Sequence, residues 1–260
     1  MAVLPTGVQL KAFAQIESAF DTTAANNATH AVPLISLEFT PTGEFHKTGE
    51  MVGSASLQRE VAGTKGGTWS ASFYAKPNGT SLTTEPDCGA FFEAAFGAKD
   101  TSGDVSYRMH DGSNEVTATQ SLQITRVAGT KFTETINGAW VEQFDVEVVG
   151  NAETVVNVSG GFSSIGWCYG STIAAVSSTS ATTFDIQSSG RAERFGAGAQ
   201  IQFNDAGTVQ DNSGAGWLVT GVSGDTITIN AATGVTLGAG TNVHAHDLAQ
   251  TLTTNSPSGE

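Results

Sequence analysis

Residues 68–75 alternate without a break. Trp69, Ala71, Phe73 and Ala75 fall on one side, and Thr68, Ser70, Ser72 and Tyr74 on the other. A period of two belongs to extended chain with one face buried, because successive side chains of a strand point to opposite faces. The same texture runs through the first two thirds of the sequence. Residues 8–16 alternate, Leu34–Phe39 follows Pro33, and Ser54–Val61 is joined to Thr68–Ala75 by a glycine-rich connection over residues 62–67. Gln120–Val127, Lys131–Ile136, Ala139–Val149 and Val155–Val158 complete the series, with the breaks at residues 128–130 and 137–139 read as hairpin turns. In the longest of these, Trp140, Glu142, Phe144, Val146 and Val148 share a face, and Val141, Gln143, Asp145, Glu147 and Val149 take the other.

Two connections stand out as loops. Ser18–His30 is small and polar. Pro41–Gly53 is Gly-rich, polar and long for a hairpin; loops beyond about 12 residues are usually functional, so it is an interaction candidate. One segment has helical rather than strand periodicity. Cys88, Phe91, Phe92, Ala95 and Phe96 recur at i, i+3, i+4, i+7 and i+8, with Pro86 suited to the first turn, Asp87 to the positive end of the dipole, and Gly97 to a left-handed C-terminal cap. The helix is expected to lay Phe91, Phe92 and Phe96 against a sheet.

From about residue 170 the composition shifts to Ser, Thr and Ala. Phe184–Ile186, Ile201–Phe203, Trp217–Val219 and Thr226–Ile229 form short strands, with a tight turn at Ser223–Asp225. The expected organisation is therefore a mainly β chain: a β sandwich or barrel with one flanking helix over residues 1–170, and a small β module with a polar tail over 171–260.

Charge narrows the function classes. Eleven Lys and Arg face 25 Asp and Glu, a formal net charge of -14, and only 14% of residues are charged. Gripping nucleic acid requires a Lys/Arg surface that releases counterions, which this chain lacks. An acidic balance fits a surface that DNA passes without sticking, as well as simple solubility. No apolar run approaches the ~20 residues of a membrane helix, so no membrane role is expected. The N-terminus has no signal-peptide pattern, which points to synthesis in the cytoplasm.

Chemistry is hard to find. There is no phosphate-binding glycine loop, no nucleophile elbow and no zincin motif. His244 and His246 would share one side of a strand beside Asp247; near a polar terminus they are expected to face solvent. His110-Asp111 lacks a strained nucleophile turn, and Glu142 with Asp145 is too generic a pair for glycoside hydrolysis. Cys88 and Cys168, outside any CxxC or Cys/His cluster, read as buried free thiols. No catalytic residue, metal or cofactor is expected.

The run GGTWSASFYAKPNG ending at Gly79, followed by PDCGAFFEAAFG over Pro86–Gly97, resembles the tail tube proteins of long-tailed bacteriophages. The opening Gly7–Phe20 is similar to their first strand and loop. Arg194–Phe203 and Gly216–Val222 resemble an accessory β module that some of them carry. Such relatives often return to the first domain with further strands, whereas this sequence ends in a polar tail. The resemblance implies a β sandwich with a flanking helix, six copies per ring, and rings stacked into a tube for DNA ejection into the host. It implies a virion protein, made in the host cytoplasm, whose partners are itself and the tape measure, terminator and tip proteins of the tail. On this reading Gln143, Asp145 and Glu147 face the lumen, and Glu44, Phe45, His46 and Lys47, in the Pro41–Gly53 segment, reach the next ring. The rival expectation is a capsid decoration protein or a glycan-binding surface β sandwich. A glycan binder usually exposes Trp or Tyr platforms, and the four tryptophans here sit mostly in core-like patterns.

Overall fold

The computed structural model describes residues 10–47, 60–75, 84–109, 120–148, 154–175, 177–187 and 194–250. Alternating sequences pair into antiparallel strands throughout. In chain order these are β1 (Lys11–Ile16), β2 (Ala31–Val32), β3 (Leu34–Lys47), β4 (Glu60–Tyr74), then the helix α1 (Gly89–Phe96), β5 (Gly97–Asp100), β6 (Ser106–Met109), β7 (Leu122–Ala128), β8 (Phe132–Ala139), β9 (Gln143–Glu147), β10 (Val155–Phe162) and β11 (Ser164–Cys168). A second group follows: β12 (Ser171–Thr172), β13 (Thr183–Asp185), β14 (Gln200–Asp205), β15 (Thr208–Gln210), β16 (Trp217–Ser223), β17 (Thr226–Ile229) and β18 (Asn242–Ala245). The chain is mainly β, with several antiparallel sheets and one short α-helix among the described residues.

A five-stranded sheet (β11-β8-β7-β1-β2) and a four-stranded sheet (β3-β4-β10-β9) share one core with α1. Phe39, Trp69, Phe73, Phe91, Leu122, Ile124, Ile136, Val156, Val158 and Phe162 are among its buried members. Each such side chain stabilises the fold by about 1.5–3 kcal/mol through burial alone. Phe91 is fully buried, its ring 5.3 Å from that of Phe73 and 5.9 Å from that of Trp69. Phe92 and Phe96 are only partly buried and lean on Phe144, with centroids 5.4 and 5.2 Å away. The helix starts later than its sequence suggests. Cys88 is the N-cap, and Pro86 and Asp87 lie in a preceding turn closed by Gly89 N–H donating to the Pro86 carbonyl at 2.7 Å. Gly97 ends it in the left-handed conformation expected, at φ 95°.

Several strands run through places where the sequence suggests turns. β4 continues across residues 62–67, because Gly66 and Gly67 serve close approach: a Cβ on Gly67 would stand 2.3 Å from the Thr40 carbonyl oxygen and 2.5 Å from the Phe162 ring. β3 likewise continues through Pro41–Lys47, the first half of the expected loop, and residues 48–53 lie outside the described residues. Pro41 is tolerated there because β3 is an edge strand. The expected hairpin turn at residues 137–139 is instead the end of β8, and the expected long strand 139–149 is broken at Trp140–Glu142. At that break the chain leaves the five-stranded sheet and enters the four-stranded one. The switch places Trp140 over β10, where a Cβ on Gly160 would meet the Trp140 carbonyl oxygen at 1.9 Å. Trp140 is 42% exposed, in contrast to the core-like position its pattern suggests.

The second group forms a seven-stranded sheet (β12-β18-β14-β16-β17-β13, with β15 on β14) around Phe184, Phe203, Trp217, Ile201 and Ile227. The expected tight turn holds: Ser223 and Thr226 pair directly, with Gly224 at φ 57° between them. β18, at the strand expected around His244 and His246, pairs with β14 inside the sheet. His246 is therefore buried rather than solvent-facing, within hydrogen-bond distance of Gln202 and the Gly214 carbonyl.

The two groups meet across a polar seam. Gln123, Thr125, Thr133, Thr135 and Asn137 lie on β7 and β8, yet all are buried. Two glutamines clamp the segment at residues 24–26 as a β ladder would. The side chain of Gln123 accepts from Ala24 N–H at 2.7 Å and donates to the Ala24 carbonyl at 2.8 Å. Gln200, from β14, accepts from Asn26 N–H at 3.0 Å and donates to the Asn26 carbonyl at 3.2 Å. Asn26 in turn donates to Thr125 at 2.8 Å. Buried amides are held this way because an unpaired one costs about 1–3 kcal/mol.

Candidate functional site: an acidic sheet face between two open edges

The four-stranded sheet buries one face and leaves the other in solvent. Leu37, Phe39, Trp69, Ala71, Phe73, Val156, Val158 and Phe144 turn toward the core and helix. Alternation then fixes the outer face, and register assembles it into rows. One row runs Glu38, Ser70, Ser159, Gln143; the next runs Ser36, Ser72, Asn157, Asp145; a third holds Tyr74, Val155, Glu147. Ser72 donates to Asn157 across the strands at 2.6 Å, and Gln143 donates to Asp145 along β9 at 2.5 Å. Glu142, at the sheet switch, accepts from the Trp140 indole at 2.8 Å. A shallow depression of about 240 Å³ lies between Glu38, Thr40, Ser70, Glu142 and Ser159.

This face carries Glu38, Asp145 and Glu147, with Glu142 beside them, and no Lys or Arg among its described side chains. Its remaining positions are short hydroxyl and amide side chains, apart from the exposed Tyr74 ring and Val155 in the end row. Carboxylates in high-dielectric water act on a polyanion over roughly a Debye length, about 8–10 Å at physiological salt. Such a face repels a polyanion over that distance.

Among the described residues both edges of the sheet are open. β3 and β9 each have one strand neighbour. An open edge presents unpaired N–H and C=O groups to a further strand. β9 is also unusually bare on its inner side: Val146 is 53% and Val148 75% exposed, because the helix covers only Phe144.

The residues singled out from sequence separate into three places. Gln143, Asp145 and Glu147 share the exposed face just described. Glu44, Phe45, His46 and Lys47 lie in the outer part of the β3–β4 hairpin. There Phe45 is paired with Ala62, His46 with Val61 and Lys47 with Glu60, after a bulge at Gly43/Phe45. Phe91, Phe92 and Phe96 pack on the opposite side of the sheet. Sequence reasoning missed Glu38, Ser36, Asn157 and Ser159. Their polar alternation on Leu34–Phe39 and Val155–Val158 was the available signal, but register alone brings them beside β9.

Among the described residues the other ionisable groups form no reactive constellation. Cys88 and Cys168 are buried free thiols, each pushed up to about 12 by burial. Burial also lowers the pKa of His30, His244 and His246. Glu17 is buried, accepting from Ser121, Asp21 N–H and Gly138 N–H, and desolvation raises its pKa. It pins the Ser18–Thr22 turn to β8. Among the described residues no three His, Cys, Asp or Glu side chains are grouped to hold a metal ion.

No family model matches the chain, and no curated protein matches it. Solved structures give distant similarities. The sheath–tube complex of an extracellular contractile injection system (PVC) is 9% identical, with 64% of this chain and 92% of that chain covered, at TM-score 0.34. The SPP1 tail tube is 10% identical, covering 62% and 76%, at TM-score 0.34. An Hcp protein is 11% identical, covering 61% and 92%, at TM-score 0.28. At TM-scores and identities this low, the similarities establish neither family membership nor a shared function.

Proposed function

We propose that this chain is a non-catalytic structural subunit that assembles with copies of itself into a tube, with the outer face of β3-β4-β10-β9 lining the lumen. The observation that carries this reading is an exposed sheet face, acidic and without a described cation, flanked by two open strand edges. Pairing β9 of one copy with β3 of the next would continue the sheet around a ring and satisfy both edges. Gln143, Asp145 and Glu147 then face the bore, with Glu38 joining them, and DNA moves past a surface that repels it. The tail-tube resemblance supplies the finer proposal of six copies per ring, stacked rings, a virion location, and tape measure, terminator and tip proteins as partners. The β3–β4 hairpin, carrying Glu44, Phe45, His46 and Lys47, is proposed to reach the neighbouring ring. Residues 1–170 are proposed to form the tube-building domain and 171–260 an accessory module on its outside.

Negative-stain microscopy of the purified chain tests this directly. Rings or tubes with a continuous inner wall are expected, alone or on addition of tail-tip proteins. Persistent monomers at high concentration under both conditions would refute self-assembly. Replacing residues 41–53 by a short linker is expected to block stacking while leaving the subunit folded; normal polymerisation of that variant would reject the hairpin's role.

A further inference from the structure

Six basic side chains have described surroundings, and four of them meet a carboxylate. Lys11 pairs with Asp247, Lys99 with Glu85 and Glu93, Arg108 with Asp100, and Arg126 with Glu134. The other two, Lys131 and Arg194, have no carboxylate partner among the described residues. Both line one groove of about 440 Å³ where the β7–β8 turn meets β12 and β18, together with Tyr169, Thr172, Asn242 and His244. In a chain of net charge -14, two uncompensated cations on one concavity form a local anion-attracting site.

We propose that this groove binds an acidic saccharide, a pyranose ligand bearing a carboxylate or phosphate. Arg194 spends one donor on the Tyr169 carbonyl at 2.9 Å, which fixes its head at the groove and leaves further N–H groups of its guanidinium fork for an oxyanion. Lys131 is exposed and adds a second charge. Tyr169 supplies the platform. Its hydroxyl donates to Glu134 at 2.7 Å and its ring packs 6.2 Å from Phe132, so it is held in place while remaining 42% exposed. A fixed, half-exposed phenol ring presents an apolar face to the C–H side of a sugar, and the groove is also lined by the Asn242 amide and by the Thr172 hydroxyl, which donates to Gln187 at 2.9 Å and is left to accept from a sugar hydroxyl. Glu134 does not cancel the two cations, because its charge is taken by Arg126. His244, its pKa lowered by burial, contributes a neutral ring nitrogen at neutral pH. The groove is too shallow and polar for a lipid, and two cations are too few for a nucleic acid. This site lies apart from the acidic sheet face and does not depend on the tube reading.

The test is titration calorimetry of the full chain with trigalacturonate, a neutral galactose trisaccharide, triglutamate and inorganic phosphate, at low and high salt. Trigalacturonate is expected to bind, at least tenfold more tightly than the other three and more weakly as salt rises. Lys131→Gln and Arg194→Gln should each weaken it about tenfold. Lys131→Gln is the decisive variant, since Lys131 is exposed and its loss leaves the fold intact; circular dichroism verifies both. No binding of trigalacturonate, equal binding of the neutral trisaccharide, or unchanged affinity in Lys131→Gln would overturn the proposal. Equal affinity for triglutamate or phosphate would overturn the saccharide assignment, leaving only a generic anion site.

Discussion

Removing the Gln200 side chain by Gln200→Ala tests whether the polar seam holds the two groups of strands together. Gln200 is 5% exposed and makes three hydrogen bonds, at 3.0 Å from Asn26 N–H, 3.2 Å to the Asn26 carbonyl and 2.9 Å to the Ala215 carbonyl. Truncation orphans a buried N–H, which costs about 1–3 kcal/mol, and two carbonyls that each lose a net bond of about 0.5–1.5 kcal/mol. The expected cost is therefore about 3 kcal/mol, with a water entering the space offsetting part of it. Asn26→Ala should cost less, about 1–2 kcal/mol, because the Gln200 bonds go to the Asn26 backbone and only two side-chain bonds are lost, the 2.8 Å bond to Thr125 and the longer 3.3 Å bond from Gln15. Urea denaturation gives the two costs. Hydrogen-exchange mass spectrometry gives their location, with protection falling first in peptides covering 23–27 and 196–203. A cost below about 1 kcal/mol for Gln200→Ala, or equal costs for both variants, would show that the seam is packed rather than clamped.

Four further outcomes are expected from the same structure. Phe91→Ala removes a fully buried ring packed on Phe73 and Trp69 and is expected to cost about 3–5 kcal/mol, read as a urea midpoint shift. Gly160→Val forces a Cβ against the Trp140 carbonyl and the following backbone, so it should destabilise by more than about 3 kcal/mol or abolish soluble expression, whereas Gly103→Val, with open space around it and no left-handed backbone, should be soluble and folded. Cys88 and Cys168 have thiol pKa values raised to about 12, so thiolate is suppressed at pH 8 and grows only as pH rises toward that value. Native protein should leave both thiols unlabelled by a disulfide reagent at pH 8, and urea should expose two. Finally, Asp145→Lys with Glu147→Lys on the exposed face should leave stability within about 0.5 kcal/mol and convert the face to one that retains DNA on a column; no gain in retention would reject the repulsion argument.

Alternation by itself determined the chain's class and most strand positions, because burial of one face selects a period of two locally. It located the strands at Thr68–Tyr74 and Leu122–Val127, and helical periodicity located the buried Phe91 and the left-handed Gly97, all set by neighbours within a few residues. It misread glycines. Gly66, Gly67 and Gly138 have the composition of turns, but Gly66 and Gly67 are in mid-strand because Thr40 and Phe162 approach them, and those contacts come from other strands. Sheet membership was equally hidden: nothing local says that β8 and β9 belong to different sheets, so Trp140 read as core. The candidate face shows the same division. Gln143, Asp145 and Glu147 were legible on one strand, whereas Glu38, Ser72 and Asn157 join them only through antiparallel register. The junction groove was invisible, since Lys131, Tyr169, Arg194 and His244 are far apart in sequence and converge only when β18 pairs into the second sheet. Sequence set the strands and the charge; tertiary pairing decided which side chains share a surface, because register and sheet order depend on contacts between distant segments.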